Sequence, residues 1–338
     1  MNGIEIVTPG PLTTVQDLGR FGYQRAGFCP SGVMDVPAAL IANALVGNKS
    51  DADEPMPAVL EMTMQGIVCV FHGDAAFALT GADMPATLND KDIPSYALHY
   101  ARSGDTLSIG FARAGCRGYL AFAGGIDVPP VMGSRSTNIK CALGGFEGRK
   151  LKRGDMLALY GVGGRLKPRK PVYAEPQHAY TSNGAPLLIR VADGPQIERF
   201  SKETIRKFQN AQYTVSVQSD RMGVRLDGEP LPAIGGADIV SDGIPCGAVQ
   251  VSNAGQPMIL LADRQTVGGY AKPFVVIEAD LPLLAQARPG DKLRFARVSI
   301  RNAQFAALET IADTGLTLRR IDEQYTGSLR FAGFNIKT

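Results

Sequence analysis

Glycine and proline interrupt this chain along its whole length, with 39 Gly and 22 Pro among 338 residues. The apolar runs between them are only four to six residues long, which is the usual length of β-strands. The pattern predicts a mainly β fold, with strands in the runs 66–71, 76–80, 118–123, 187–191 and 257–261.

Helix signals are few. Asp35 precedes an apolar stretch that has Pro37 in its first turn and Gly47 just past its end, an arrangement typical of a capped helix. Ser201 is placed to cap a second segment in the same way. The helices predicted from these signals and from one further segment span 36–45, 201–208 and 304–313. The fold class is therefore mainly β with a few short helices.

A Gly-Asp-x-Leu pattern follows a basic residue at three places. Glycine permits the positive φ of a tight turn, and an aspartate can accept hydrogen bonds from the turn backbone. We therefore interpret the three aspartates as turn residues that lead into strands, not as catalytic groups. Because the pattern occurs in both halves, it also indicates two related β domains. The three copies are 104–107, 154–157 and 290–293.

The domain boundary is predicted near a basic stretch, 149–170, which holds eight basic residues and one acidic residue. Proline, glycine and polar residues follow it at the density of a linker. The predicted domains are 1–175 and 186–300, with a C-terminal tail at 301–338. The basic stretch either contacts phosphate or forms a solvated strand edge and linker.

Composition excludes several classes of protein. The formal net charge is only +3, which gives no support to a nucleic-acid or acidic-membrane partner. The sequence shows no signal-peptide pattern and no apolar run of 18 residues, so we predict a cytoplasmic chain outside the membrane. Five widely spaced cysteines without a CxxC pair predict thiols instead of a disulfide framework. With only three histidines, none at ligand spacing, no metal site is predicted.

Common catalytic signatures are absent from the sequence: it has no GxxxxGK[ST] phosphate loop, no GxSxG nucleophile elbow and no HExxH helix. The candidates are therefore polar clusters in glycine-rich loops. Asp17 and Arg20 are spaced for a local ion pair, which either holds a turn or presents a guanidinium to a carboxylate ligand. Asp83 lies in the small-residue turn after the predicted strand at 76–80, where it either closes a hairpin or approaches a ligand.

A second cluster combines paired glycines with hydroxyl and guanidinium groups. Gly124 and Gly125 are expected to expose backbone N–H groups, while Arg135, Ser136 and Thr137 supply a cation and two hydroxyls. Together these are the parts of an anion or carboxylate cradle. This cluster is the strongest functional candidate in the first half of the chain.

In the second half, charged and polar residues follow strands. Arg221 lies two residues before Gly223. The segment after the strand at 257–261 brings an acid, an amide, a hydroxyl and a phenol into one loop. Such density exceeds what a hairpin requires, so we predict a site here. The loop residues are Asp263, Gln265, Thr266, Gly268, Gly269 and Tyr270.

Five blocks of sequence, in collinear order, resemble one known family. They are TVQDLGRFGYQRAGFCPSGVMD, FALTGAD, YLAFAGGIDVPPVMGSRST, SDRMGVRLDG and GAVQVSNAGQPMILLADRQTVGGYAKP. The chain is similar to the KipI-antagonist (KipA) family, also called the 5-oxoprolinase C subunit or biotin-dependent carboxyltransferase, and related to allophanate hydrolase subunit 2. The resemblance extends over nearly the whole chain.

The resemblance implies two cyclophilin-like β-barrel domains. It also implies an assembly with two partners, an A subunit together with a KipI-like B subunit, in which ATP is consumed to open the lactam 5-oxoproline to L-glutamate. Because the chain has no phosphate loop, ATP is expected only in the assembled complex. The catalytic residues expected on this basis are Asp83, Asp263, Gln265 and Tyr270. The expected substrate-binding residues are Asp17, Arg20, Gly124, Gly125, Arg135, Ser136, Thr137, Arg221, Thr266, Gly268 and Gly269.

Two alternatives stay open at this point. In urea carboxylases, domains similar to KipI and KipA form the carboxyltransferase part, so the chain is alternatively a detached carboxyltransferase subunit of a biotin-dependent urea or amide carboxylase. Biotin is implied only by that reading. The other alternative is a non-catalytic antagonist of a KipI-like kinase inhibitor, in which the polar loops form a binding interface.

Overall fold

The computed structural model describes residues 2–49, 56–160, 171–177 and 184–326. The chain divides into two compact units, each assembled from separate stretches of sequence. Phe21–Pro30 belongs to the second unit, and the chain from Ala312 onward belongs to the first. The predicted domains, 1–175 and 186–300, are each one continuous stretch of chain, so they differ from the two units at these two segments. The first unit comprises Met1–Arg20, Ser31–Thr181 and Ala312–Thr338, and the second comprises Phe21–Pro30 and Ser182–Ile311.

The first unit is built from two sheets, helix α1 and the second half of the last helix. One sheet has the strand order β11-β1-β4-β9-β6-β7, and the other has the order β2-β3-β10-β5-β8. Neighbouring strands pair in the antiparallel direction. The elements are β1 (Gly3–Thr8), β2 (Leu12–Gln16), α1 (Val36–Leu45), β3 (Val59–Thr63), β4 (Val68–Phe71), β5 (Ala75–Asp83), β6 (Ala86–Leu88), β7 (Lys91–Ile93), β8 (Leu98–Ala101), β9 (Thr106–Ile109), β10 (Ala114–Phe122) and β11 (Met156–Ala158).

Strand β10 shows how this unit is layered. Successive side chains of a strand point to opposite faces of its sheet. Leu120 and Phe122 enter one apolar core, which also contains Ile4 and Ile6 of β1, whereas Tyr119 packs in a second core with residues of α1. Both faces of the five-stranded sheet are therefore covered, which explains why β10 is buried along almost its entire length.

The second unit contains a closed barrel of seven strands, in the order β12-β19-β16-β17-β14-β13-β20, and a separate two-stranded sheet, β15-β18. The barrel closes through the parallel pairing of its first and last strands. The elements are β12 (Leu187–Asp193), α2 (Lys202–Asn210), β13 (Tyr213–Val215), β14 (Gly223–Asp227), β15 (Asp238–Gly243), β16 (Ala248–Val251), β17 (Pro257–Leu260), β18 (Val267–Tyr270), β19 (Phe274–Val276), α3 (Leu281–Gln286) and β20 (Lys292–Arg297).

An aromatic cluster joins α2 to the barrel. The ring of Phe208 stacks on Phe274 of β19 and on Phe295 of β20, with centroid distances of 4.6 and 4.4 Å. Val249 of β16 is the cross-strand partner of Phe274 and of Ile259 in β17, so these residues share one face of the sheet. That face is the barrel interior, and the neighbouring positions of the same strands face outward.

The last helix, α4 (Ile300–Thr326), is much longer than the predicted segment 304–313. Its second half packs in the first unit, where Leu318 and Ile321 join the core around α1. The Tyr325 hydroxyl donates a hydrogen bond to the Leu45 carbonyl, 2.5 Å away. Apolar packing and this hydrogen bond stabilise the helix beyond Gly315, although glycine has a low helix propensity.

The locally encoded elements are confirmed. The structure contains all five predicted strands, and α1 and α2 begin after the predicted caps, with the side chains of Asp35 and Ser201 accepting from the N–H groups of Ala38 and Thr204. None of the five cysteines, all in described segments, forms a disulfide. Among the described helices, none is long and apolar enough to cross a membrane.

The three Gly-Asp-x-Leu segments form the same turn. Each glycine has a positive φ, between +85° and +93°, and a strand follows each turn. Each aspartate carboxylate accepts a 2.7 Å hydrogen bond from the backbone N–H three residues earlier, as the turn interpretation predicts. The carboxylates are those of Asp105, Asp155 and Asp291.

We expect Asp291→Ala to lower the free energy of unfolding by about 1 kcal/mol, because the N–H of Arg288 loses its acceptor. Asp291→Asn keeps an oxygen at this place and should lie closer to the wild type. Urea denaturation followed by circular dichroism measures both variants. Equal stability of Asp291→Ala and the wild type would show that the carboxylate does not support the turn.

Candidate functional site

The carboxylate of Asp17, in the first unit, is buried and surrounded by donors. It accepts hydrogen bonds from the hydroxyls of Ser134 and Ser136, at 2.6 and 2.5 Å, and from the backbone N–H groups of Arg135 and Gly19, at 2.5 and 2.8 Å. Four donors satisfy a carboxylate that is only 1% exposed. Asp17 therefore joins the chain after β2 to the loop at 134–136.

Arg20 does not pair with Asp17. Its Nη2 donates to the carbonyl of Ser136, and in the described part of the chain no ion pair joins Arg20 to Asp17. The predicted local ion pair is therefore absent, because the Asp17 oxygens are already occupied. Arg20 is buried, and its Nε and Nη1 have no hydrogen-bond partner among the described residues.

The predicted anion cradle is closed by internal hydrogen bonds. The N–H of Gly124 donates to Asn48 Oδ1 at 2.7 Å, and that of Gly125 donates to the Phe122 carbonyl at 2.9 Å. Both glycines have a positive φ, as a tight turn requires. The paired glycines form a turn after β10, and their N–H groups do not point to a common anion.

The hydroxyls expected in the same cradle also have protein partners. Ser136 donates to Asp17, and Thr137 Oγ1 donates to the Val15 carbonyl at 2.9 Å. Arg135 is half-buried, and its Nε donates to the Val128 carbonyl at 3.1 Å. These contacts correct the prediction of a cradle, since the groups hold loops together.

Asp83 is exposed at the end of β5, where Ala114 of β10 is its cross-strand partner. In the described residues, no hydrogen bond or ion pair connects its side chain to another predicted site residue. The structure thus does not bring Asp83 together with the other residues expected to be catalytic.

A buried polar network beneath α1 was not predicted from the sequence. The Tyr119 hydroxyl donates to Glu61 Oε2 at 3.0 Å and accepts from the backbone N–H of Asp35 at 2.8 Å. Burial and the nearby carboxylates of Glu61 and Asp35 raise the pKa of Tyr119 well above its ordinary value. The phenol therefore remains a donor, and Glu61 also lies 4.0 Å from Arg117 Nε.

In the second unit, two predicted site residues from distant segments meet. Arg221 Nε and Nη2 donate to the two carboxylate oxygens of Asp263, at 2.9 and 3.3 Å. The side chains of Arg221 and Asp263 are only 4% and 10% exposed. The backbone N–H of Asp263 also donates to the Arg221 carbonyl at 3.0 Å. This buried ion pair supports the loop that carries the other predicted residues.

Beyond Asp263 the loop turns into β18. Thr266 accepts a backbone hydrogen bond from Ile244, and Gly268 is the cross-strand partner of Asp242 in β15. A Cβ atom on Gly268 would lie 2.9 Å from the side-chain nitrogens of both Gln250 and Gln265. Gly269 has no such restriction, since its nearest neighbours are 3.4 Å or more away. Glycine at 268 therefore leaves room for two amide groups.

Gln265 and Tyr270 line a cavity of about 380 Å³, which we call the outer-face cavity. Four glutamines, two serines, a tyrosine, an arginine and an aspartate contribute polar groups, and the volume lies in the usual range for small-ligand sites. All lining residues belong to the second unit. They are Ser216, Gln218, Arg225, Leu226, Asp227, Gln250, Ser252, Gln256, Pro257, Met258, Gln265 and Tyr270.

Three lining residues form a row across neighbouring strands. Met258 of β17 is the cross-strand partner of Arg225 in β14 and of Gln250 in β16. The row lies on the outer face of the barrel, since the adjacent positions face its interior. Neither Gln250 nor Arg225 was predicted as a site residue from the sequence. The available signal was a lone glutamine inside the apolar strand Ala248–Val251.

Lys272 is a further buried group that the prediction missed. Its side chain is fully buried, and Nζ lies 3.6 Å from Asp242 Oδ2. A backbone hydrogen bond from Gly243 and the nearby Lys272 ammonium lower the pKa of Asp242. The described residues contain no group of three or more His, Cys, Asp or Glu side chains arranged to hold a metal ion.

Comparison with protein families identifies the chain. The family model described as "Carboxyltransferase domain, subdomain A and B" matches residues 26–297. The chain belongs to this carboxyltransferase family. The match includes Arg221, Asp263 and every residue of the outer-face cavity, and it begins after Asp17 and Arg20.

Two curated relatives match this carboxyltransferase-family chain along nearly their full length. The C subunit of 5-oxoprolinase from Escherichia coli (strain K12) is 38% identical over 305 residues, which are 89% of this chain and 93% of the relative. The corresponding C subunit of 5-oxoprolinase from Haemophilus influenzae is 35% identical over 329 residues, or 97% of each chain. These matches confirm the family resemblance seen in the five sequence blocks.

A solved structure confirms the fold of the carboxyltransferase-family chain. The urea amidolyase of K. lactis superimposes with a TM-score of 0.83 at 33% identity. The superposition covers 98% of this chain but only 20% of the amidolyase. Apart from Ser216 and Gln218, all residues of the outer-face cavity come from the last two blocks that carried the resemblance.

For the Arg221–Asp263 pair, we expect Asp263→Asn to destabilise the second unit by about 3–5 kcal/mol, because a buried guanidinium loses its carboxylate. The double variant Arg221→Met/Asp263→Leu removes both charges and should be less destabilised than the sum of the single variants. Denaturant unfolding of the wild type, the single variants and the double variant measures this coupling. Additive effects would contradict a paired role.

Proposed function

We propose that this chain is the C subunit of an ATP-dependent 5-oxoprolinase, which opens 5-oxoproline to L-glutamate in the cytoplasm. The observation that carries the proposal is the nearly full-length match to two relatives that are named as this component of 5-oxoprolinase. We further propose that the chain acts together with two partners, a KipI-like B subunit plus an A subunit.

The outer-face cavity is the proposed substrate site. A lactam is a neutral, unreactive amide, and its opening places negative charge on the carbonyl oxygen. Such a reaction needs hydrogen-bond donors aimed at the developing oxyanion. Tyr270 and Gln265 offer a hydroxyl and an amide N–H at the cavity, and the Arg221–Asp263 pair positions their loop. We therefore assign Tyr270 and Gln265 as donors to the reacting carbonyl.

ATP is proposed to act in the assembled complex and not on this chain alone. Phosphate groups in proteins are bound by free backbone N–H groups, hydroxyls and cations. In the described residues the expected cradle does not fit this need, because the Gly124 and Gly125 N–H groups and the Ser136 and Thr137 hydroxyls bind protein atoms. Phosphate chemistry is therefore assigned to the partner subunits.

Carboxyl transfer is the second candidate function. The match to a urea amidolyase over 98% of this chain favours it. Under this reading the cavity accepts a ureido group, and biotin belongs to the reaction. The two functions differ in what is released, since a 5-oxoprolinase forms glutamate from 5-oxoproline and a carboxyltransferase consumes carboxybiotin with a urea or amide acceptor.

The first test is glutamate release from 5-oxoproline with ATP, measured for this chain alone and after co-purification with the two partner subunits. We expect activity only in the assembly. A confirmed assembly that releases no glutamate but carboxylates urea from carboxybiotin would replace the proposed function with the second one.

Within the active assembly, we expect Tyr270→Phe to lower kcat roughly 100-fold, because one donor to the oxyanion is removed. Tyr173→Phe is the matched control, since Tyr173 is an exposed tyrosine of the first unit outside the cavity. Steady-state kinetics of glutamate release measures both variants. An unchanged kcat for Tyr270→Phe would overturn the assignment of this hydroxyl.

A further inference from the structure

Gln250 is the one buried amide of the outer-face cavity among the described residues. Its side chain is 4% exposed, and its Nε2 has no hydrogen-bond partner in the described part of the chain. Leaving a buried amide without a partner costs free energy of folding, and a methionine of similar length carries no such cost. A polar group that is retained against stability and lines a cavity indicates a binding role.

The residues around Gln250 hold its side-chain amide in place on the outer face of the barrel. Val249 and Val251, on either side, are buried, and Val249 faces the barrel interior with Ile259. On the outer face, β18 passes over Gln250 at Gly268, where any side chain would collide with the amide nitrogen at 2.9 Å. The glycine therefore preserves the space that the amide occupies.

A cation lies in the same cross-strand row. Arg225 and Gln250 are both partners of Met258, so two strand spacings separate them, which is about 9–10 Å between backbones. The Arg225 side chain is exposed, and its guanidinium makes no ion pair among the described residues. A guanidinium at this distance from a carboxamide matches a small ligand that has a carboxylate at one end and an amide at the other.

We propose that the outer-face cavity recognises small ligands that contain a cis amide, such as five-membered lactams and cyclic ureas, through the Gln250 carboxamide. A cis amide presents its C=O and N–H on the same side, and a carboxamide faces it with a matching donor and acceptor. Open-chain secondary amides are almost entirely trans and can offer only one of the two groups to Gln250. Arg225 binds the carboxylate where the ligand has one.

This inference rests on the proposed function, because it assigns the recognition groups of the same site. It goes further by naming the chemical feature that is selected and the residues that select it. Gln250 is a substrate-binding residue here: its amide N–H donates to the ligand carbonyl that Gln265 and Tyr270 also face, and its oxygen accepts from the ligand N–H.

The experiment is isothermal titration calorimetry of the assembled complex, without ATP, using three probes. 5-Oxoproline has the ring, the cis amide and the carboxylate; 2-imidazolidinone has the ring and cis amide only; L-proline has the ring and carboxylate only. We expect the wild type to bind 5-oxoproline at least roughly 10-fold more tightly than proline. We expect Gln250→Met to remove this preference while its thermal unfolding temperature equals or exceeds that of the wild type.

Arg225→Met provides a second variant at an exposed position. It should weaken 5-oxoproline binding at least roughly 10-fold and leave 2-imidazolidinone binding unchanged. Gln304→Ala, an exposed glutamine of α4 outside the cavity, is the control and should behave as the wild type. Retention of the lactam preference in Gln250→Met, or no lactam binding by the wild type, would overturn the inference.

The proposed function can fail separately. If the complex shows the predicted probe pattern but releases no glutamate, the recognition inference stands and the 5-oxoprolinase assignment falls. If glutamate is released and Gln250→Met leaves KM for 5-oxoproline unchanged, the assignment stands and Gln250 has no role in recognition.

Discussion

The two-point contact between Arg221 and Asp263 fixes the candidate site, because the loop that carries its polar groups begins at this pair. The guanidinium joins both carboxylate oxygens, and a backbone hydrogen bond between the same residues adds a third connection. A buried ion pair gains little net stability over an apolar pair of similar size. Its value here is geometric, since Gln265 lies two residues from a rigid anchor.

The first unit uses a buried carboxylate in a related way. Asp17 collects two hydroxyls and two backbone N–H groups, and it thereby fixes the loop at 134–136 against the end of β2. In both units, an aspartate that the sequence placed among candidate ligand-binding or catalytic groups points into the protein. In each case the buried carboxylate holds a loop in place, and in the second unit a neutral group of that loop, the Gln265 amide, lines the outer-face cavity.

The sequence was informative where structure is determined locally. The caps at Asp35 and Ser201 and the Gly-Asp turns depend on residues three or four positions apart, so their patterns predicted them correctly. The length of α4 was underestimated, because Leu318 and Ile321 gain their stabilisation from packing against α1 and not from the helix itself. The row of Arg225, Met258 and Gln250 depends on strand register, which joins separate segments of the chain and has no local signal.

The chemical character of the outer-face cavity fits a neutral ligand better than it fits ATP. ATP carries several negative charges, and binding it requires concentrated cations or free N–H groups. The cavity instead contains amides, hydroxyls and a phenol. Its arginine, Arg225, lies two residues from its aspartate, Asp227, along β14. Such a site gains its selectivity from hydrogen-bond geometry, because a neutral amide offers no net charge to attract. A rigid barrel wall suits this task, since the two hydrogen bonds of a cis amide are made together only when the facing carboxamide is held in place.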